Sequence, residues 1–142
     1  LGIFSGNLLR GEPITIFGDG EQTRDFVFIS DIVEGWVKAL ETPASAGGIF
    51  NLGSGRSLSI NQLAEYAIAA FGHPRGEYEL IRAPGRPGEQ RTVQADIRQA
   101  KAVLGWEPRT TFEAGLVKTV RWARHEFAPH PATAPAMEAD AR

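Results

Sequence analysis

The sequence predicts an α/β fold, on three observations. Short β-branched or apolar runs at residues 14–17, 49–52 and 78–81 are bracketed by Gly and Pro. Between them lie stretches with apolar residues at helical spacing, several opened by a Ser, Thr or Asp that can cap a helix. One of these, residues 49–71, reads as strand, turn and helix in succession. At 142 residues the chain has the length of one domain, and it can bury about two-thirds of its unfolded surface without staples.

Taken in order, Ile3 to Arg10 forms the end of a helix, closed by Gly11 and Pro13. That helix has a visible end but no visible start, and the chain opens on Leu1, so it reads as part of a longer polypeptide. Ile14-Thr15-Ile16-Phe17 is a strand ending at the Gly18-Asp19-Gly20 turn, and residues 24–29 form a second run that completes a hairpin with it. In that second strand Arg24, Phe26 and Phe28 share one face. Ser30 caps a helix whose Ile32, Val33, Trp36, Val37 and Leu40 form the inward stripe. Ile49-Phe50-Asn51-Leu52 reads as a buried strand, being short, apolar and flanked by Gly.

Ser59 and Gln62 have the spacing of a capping box and open a helix carrying Ile60, Leu63, Ala64, Ala67, Ile68 and Phe71. Tyr78 to Ile81 is a strand, followed by the loop Ala83-Pro84-Gly85-Arg86-Pro87-Gly88-Glu89-Gln90-Arg91. Asp96 caps a short helix with Ile97, Ala100 and Leu104 inward, stopped by Gly105 and Pro108. Thr110 and Glu113 form a second capping box for a helix with Phe112, Leu116, Val120, Ala123 and Phe127 on one face. Residues 1–127 are thus one folded unit, and residues 128–142, almost all Ala, Pro and polar, are expected to be a disordered tail.

Composition removes whole classes of chemistry. With no Cys there is no disulfide framework, thiol nucleophile or thiolate zinc site. Fifteen Lys and Arg against 17 Asp and Glu give a net charge of −2, so no global positive field draws in nucleic acid or an anionic membrane. No span-length apolar run and no signal segment is present, and a cytoplasmic location is the expectation.

Catalytic templates fail as well. His125-Glu126 is followed by His130, one residue too far for helical zinc-protease spacing, with Pro129 breaking the helix. His73, beside Pro74 at a helix end, suits the C-terminal helix dipole. Gly53-Ser54-Gly55 after a strand is half of a dinucleotide fingerprint, but Leu58 replaces the third Gly, so a plain turn is favoured. What remains is arginine in loops. Arg86, framed by Pro84-Gly85 and Pro87-Gly88, is held at low entropy cost, and its guanidinium suits phosphate oxygens. Glu89 suits a pair of sugar hydroxyls, and Arg24 is a second candidate for the same anion. The same residues also describe an ordinary solvated loop, with Arg24-Asp25 a surface pair worth at most about 1 kcal/mol, and spacing alone does not choose between the two.

The ordered set Ile14-Thr15-Ile16-Phe17-Gly18-Asp19-Gly20, Gln22-Thr23-Arg24-Asp25-Phe26-Val27-Phe28-Ile29-Ser30-Asp31, Phe50-Asn51-Leu52-Gly53-Ser54-Gly55, Arg86-Pro87-Gly88-Glu89 and Leu104-Gly105-Trp106-Glu107-Pro108 closely resembles the C-terminal half of extended short-chain dehydrogenase/reductases acting on nucleotide sugars. Within these it is most similar to UDP-glucose 4-epimerase-like NAD-dependent epimerase/dehydratases, from about Leu1 to Phe127. The resemblance implies a substrate-binding part of an α/β fold whose Ile49–Leu52 strand completes a Rossmann sheet supplied by the other half. That half binds NAD through a Gly-rich loop and carries a Tyr-x-x-x-Lys pair. Neither is here: Tyr66 is followed by Ala70 and Tyr78 by Arg82.

By resemblance, Arg24 and Arg86 hold the diphosphate, Glu89 the ribose hydroxyls, the backbone from Thr15 to Phe17 meets the base, and Val93 faces the sugar. Glu89 stands where many members carry Asp. The complete enzyme would oxidise the sugar transiently at C4 with NAD, as a homodimer, and this half alone would be catalytically silent. Two alternatives are a stand-alone nucleotide-sugar binding module and a fragment of a dTDP- or GDP-sugar dehydratase or UDP-glucuronate decarboxylase.

Overall fold

Ile14 and Ile16 are the two branched residues that β1 (Ile14–Phe17) turns inward, and both are almost fully buried. Around them the computed structural model, which describes residues 1–74 and 76–127, builds an α/β arrangement. In chain order it runs α1 (Gly2–Arg10), β1, β2 (Thr23–Asp25), α2 (Ile29–Glu41), β3 (Ser57–Ser59), α3 (Ile60–Ala70), β4 (Leu80–Ala83), α4 (Arg98–Leu104) and α5 (Phe112–Glu126). The expected tail at 128–142 lies outside the described residues. No described helix is long and apolar enough to cross a membrane.

The strands pair differently from the sequence expectation. β1 runs parallel to β4, with Ile14 opposite Leu80 and Phe17 opposite Ala83. β2 pairs antiparallel with β3, Thr23 opposite Ser59 and Asp25 opposite Ser57. There is no hairpin between β1 and β2. The Gln22 side chain reaches back to donate to the Phe17 carbonyl (2.9 Å), and the chain leaves β2 after Asp25 to enter α2. Alternation in a sequence marks a strand but not its partner, and a parallel partner lies a long crossover away.

The main core forms where α1, α3 and α5 cover β1. Leu63, Ala64, Ala67 and Ile68 of α3 meet Leu116, Val120 and Ala123 of α5 and Phe4 and Leu8 of α1. Phe26, Tyr66 and Phe112 close its edge, with ring centroids 5.3 Å apart for Tyr66 and Phe112 and 5.8 Å for Phe26 and Phe112. α3 starts as the sequence requires: the Gln62 N–H donates to Ser59 Oγ (3.1 Å) and the Ser59 N–H to Gln62 Oε1 (2.9 Å). Phe127, expected on the inward face of α5, is exposed instead.

A second cluster gathers Ala100, Leu104 and Trp106, flanked by Ala39, Phe50, Leu52 and Ile97. It is joined to α2 by a polar latch. Trp106 Nε1 donates to the Asp31 carbonyl (2.8 Å), while the Asp31 carboxylate accepts from the Thr110 N–H and hydroxyl (both 2.9 Å). Thr110 is therefore not the cap of α5; Thr111 is, accepting from the Ala114 N–H (3.2 Å). Ser30 likewise does not cap α2, which begins at Ile29 without a side-chain cap. Asp96 does accept from the Arg98 N–H (3.1 Å), although regular helix starts only at Arg98.

The apolar stripe of α2 and Ile49 face out rather than in. The buried residues of α2 are Asp31 and Gly35, whereas Trp36 is 63% and Leu40 88% exposed. The helix leans on the second cluster with its small face, because a Cβ at Gly35 would lie 2.7 Å from Leu52 and 3.2 Å from Trp106 Nε1. Ile49, expected in a buried strand, is 83% exposed, and residues 49–52 form no strand. A strand exists only against a hydrogen-bonding neighbour, and among the described residues none runs beside this segment.

Candidate functional site

Parallel pairing of β1 and β4 brings their C-terminal ends together, and the Gly18 N–H donates to the Ala83 carbonyl (2.9 Å). The loop from Pro84 to Gln90 therefore springs from beside Phe17. Arg86 lies over the Phe17 ring, its guanidinium carbon 4.1 Å from the centroid. Three residues on, the Glu89 N–H donates to the Arg86 carbonyl (3.2 Å) and closes a turn between the two charged residues.

Beyond the turn the chain becomes a strap along β2. The Thr23 N–H donates to the Arg91 carbonyl (2.8 Å), and the Thr23 carbonyl accepts from the Val93 N–H (3.2 Å). Arg24 ties the strap down further, donating from Nη1 to the Thr23 and Gln90 carbonyls (2.8 and 2.9 Å) and from Nη2 to Glu89 Oε1 (2.9 Å). Both partners of that ion pair are about a quarter exposed, so the fork is oriented yet open on one side.

Asp19 fastens the loop at both ends. Its carboxylate forms a bidentate pair with Arg91 (2.8 Å for each contact), and its carbonyl accepts from Arg82 Nη1 (3.1 Å). The Arg91 guanidinium and the Glu21 N–H hold the Asp19 carboxyl down from its ordinary 3.8 to about 2. Asn61, at the start of α3, donates to the same Asp19 carbonyl (2.9 Å) and accepts from Arg82 (2.8 Å).

Of the six residues singled out in the sequence, Phe17, Arg24, Arg86 and Glu89 thus meet around one turn. Thr15 lies two residues before Phe17 on the outward side of β1. Val93 stands apart, in a 440 Å³ cavity with Asp25, Val27, Asn51, Leu52 and Gly53. Arg24 and Asp25 are not a pair, because neighbouring residues of a strand point to opposite faces. Asp25 instead accepts four hydrogen bonds, from the Ser54 N–H and hydroxyl on Oδ1 (2.7 and 2.6 Å) and from the Gly55 and Ala95 N–H groups on Oδ2 (3.1 and 3.0 Å). This settles the Gly53-Ser54-Gly55 loop as structural. Its Ser54 and Gly55 amides are already engaged, and β3 rather than a helix follows, so these residues do not fit the pyrophosphate of a dinucleotide.

Asp25, Asp19, Arg82 and Arg91 are the residues that sequence reasoning missed. For Asp25 a signal existed, since strand alternation alone separates it from Arg24. Both tyrosines serve the fold: Tyr66 packs on Phe112, and the Tyr78 hydroxyl donates to the Glu12 carbonyl (2.7 Å). His73 packs against Tyr78 with its ring tilted by 58° and centroids 4.7 Å apart, and His125 pairs with Glu126 (3.3 Å). Among the described residues no three His, Asp or Glu side chains gather as a metal site.

Residues 4–119 match the family model described as GDP-mannose 4,6 dehydratase. The UDP-glucose 4-epimerase of Mycolicibacterium smegmatis is 40% identical over 124 residues, which is 87% of this chain and 38% of that protein. Among solved structures, the Thermotoga maritima UDP-glucose 4-epimerase with UDP-glucose superposes with a TM-score of 0.79 at 37% identity, over 87% of this chain and 38% of that one. The Thermus thermophilus UDP-glucose 4-epimerase in complex with NAD gives 0.76 at 29% identity, over 87% and 39%. The chain therefore spans less than two-fifths of the length of these relatives.

Proposed function

The chain belongs to the GDP-mannose 4,6-dehydratase family of nucleotide-sugar epimerases and dehydratases, and from that premise we propose that its Arg24, Arg86 and Glu89 hold the diphosphate and ribose of a UDP-hexose in a 4-epimerase-like enzyme. The observation that carries this reading is the Arg86–Glu89 turn beside Phe17, where the Arg86 guanidinium lies over the Phe17 ring and the Glu89 carboxylate is paired with Arg24. Two guanidiniums, one backed by an aromatic face and the other by two carbonyls, are held before any ligand arrives, which lowers the entropy cost of binding. The Glu89 carboxylate, about a quarter exposed, is available to a ribose hydroxyl, and the backbone from Thr15 to Phe17 borders the base. Val93 and its cavity receive the hexose.

The chain's part in the reaction is positioning. Contacts to the nucleotide orient the hexose, so that the reacting carbon is presented in one pose. NAD supplies the redox chemistry in this proposal and binds outside these residues; the Gly53-Ser54-Gly55 loop has its Ser54 and Gly55 amides engaged by Asp25. The Tyr and Lys that transfer protons are likewise assigned, in this proposal, outside these residues; here Tyr66 packs on Phe112 and the Tyr78 hydroxyl donates to the Glu12 carbonyl. The complete enzyme acts as a homodimer, which light scattering on the native protein checks.

Arg86→Ala in the native protein tests the reading. Loss of one of two guanidiniums facing a diphosphate should weaken UDP-glucose binding by at least about tenfold, or 1.4 kcal/mol, in calorimetry. Unchanged affinity removes Arg86 from the site.

A further inference from the structure

The carboxylate of Asp25 joins three stretches of chain that are remote in sequence. It leaves β2 on the face opposite Arg24 and takes the Ser54 and Gly55 amides of one loop, the Ser54 hydroxyl, and the Ala95 amide of the strap. The approach is close enough that a Cβ at Gly53 would come within 2.9 Å of Asp25 Oδ2 and collide with Ala95. The strap is thus anchored twice from consecutive residues: Arg24 holds it at Glu89 and Gln90, and Asp25 holds it at Ala95. Val93 lies between the two anchors and lines the cavity that Asp25 and Gly53 also border.

We propose that Asp25 is a positioning residue for the sugar end of the substrate: by fixing Ala95 and the Ser54-Gly55 turn that follows Gly53 it sets the wall of the cavity that carries Val93, while Arg24, Arg86 and Glu89 hold the nucleotide end. This rests on the nucleotide-sugar reading above. A carboxylate offers lone pairs on both oxygens and can accept from all four donors at once. Asparagine has the same shape but replaces one acceptor oxygen with an NH₂ donor, so in either amide orientation at least one backbone N–H of Ser54, Gly55 or Ala95 meets a donor instead of an acceptor.

Asp25→Asn is measured in the native protein by calorimetry with two probes, UDP and UDP-glucose. The expected result is UDP-glucose affinity reduced at least about tenfold with UDP affinity held within about threefold. A residue that merely supports the fold moves both affinities together, so equal losses overturn the proposal, as does an unchanged UDP-glucose affinity. If Asp25→Asn does not accumulate folded, Ser54→Ala, which removes one of the four donors, is put through the same pair of titrations. It should lower the affinity for UDP-glucose more than that for UDP, and an unchanged ratio overturns the positioning role. Wild-type protein that binds neither probe overturns the nucleotide-sugar reading together with this one. Wild-type protein that binds both, with an Asp25→Asn ratio equal to its own, overturns the role of Asp25 alone.

Discussion

Arg24→Lys separates the geometry of the cluster from its charge. The guanidinium makes three contacts of 2.8 to 2.9 Å at once, to two carbonyls and to Glu89. A lysine nitrogen keeps the charge but is a single point, and it cannot span acceptors held on two sides of a planar fork. Losing two such bonds at about 1 kcal/mol each, reduced because the pair is a quarter exposed, leaves a net cost of about 1 to 2 kcal/mol. The strap then holds Glu89 less firmly, and the ligand must supply that ordering when it binds. Affinity of the native protein for UDP-glucose should fall roughly 5- to 30-fold in calorimetry, while its salt dependence stays close to wild type because the charge is unchanged. An Arg24→Lys protein that binds within about twofold of wild type refutes the reasoning, since charge alone would then account for Arg24.

Trp106→Phe keeps most of the buried ring but removes the indole N–H that donates to the Asp31 carbonyl and leaves a void beside it; unfolding in denaturant should show a loss of about 1 to 3 kcal/mol, and a variant as stable as wild type dismisses the latch. Asp19 gives a pH signature. Its folded value of about 2 lies below the ordinary 3.8, so its contribution to stability is fully present above 3.8 and is lost as pH falls through about 2. The Asp19 carboxyl followed by NMR should therefore titrate near 2, and a midpoint at 3.8 excludes the bidentate contact with Arg91.

How much of this was legible in the sequence depended on how local the determinant was. The start of α3 was readable because both halves of its capping box lie within four residues. The partners of β1 and β2 were not, because each is chosen by packing across dozens of residues. α2 misled for a related reason: hydrophobicity identifies its apolar stripe, but the face that packs is the one where Gly35 admits Leu52 and Trp106. Thr110 and Thr111 both have the chemistry of a cap, and the buried carboxylate of Asp31, far away in the chain, claims the first and leaves the second to α5. In the site, Arg24, Arg86 and Glu89 came from ordered motifs, whereas Asp19 and Asp25 act through contacts to segments distant in sequence. Such contacts leave no periodicity to read.

In the proposed site the Arg86–Glu89 turn, which follows β4 and lies beside the end of β1, receives the diphosphate and ribose of a nucleotide sugar. A crystal structure of the native protein with UDP-glucose tests it most directly. Diphosphate oxygens are expected within hydrogen-bond distance of both Arg24 and Arg86, and the ribose hydroxyls on Glu89. A bound UDP-glucose whose diphosphate contacts neither arginine contradicts it.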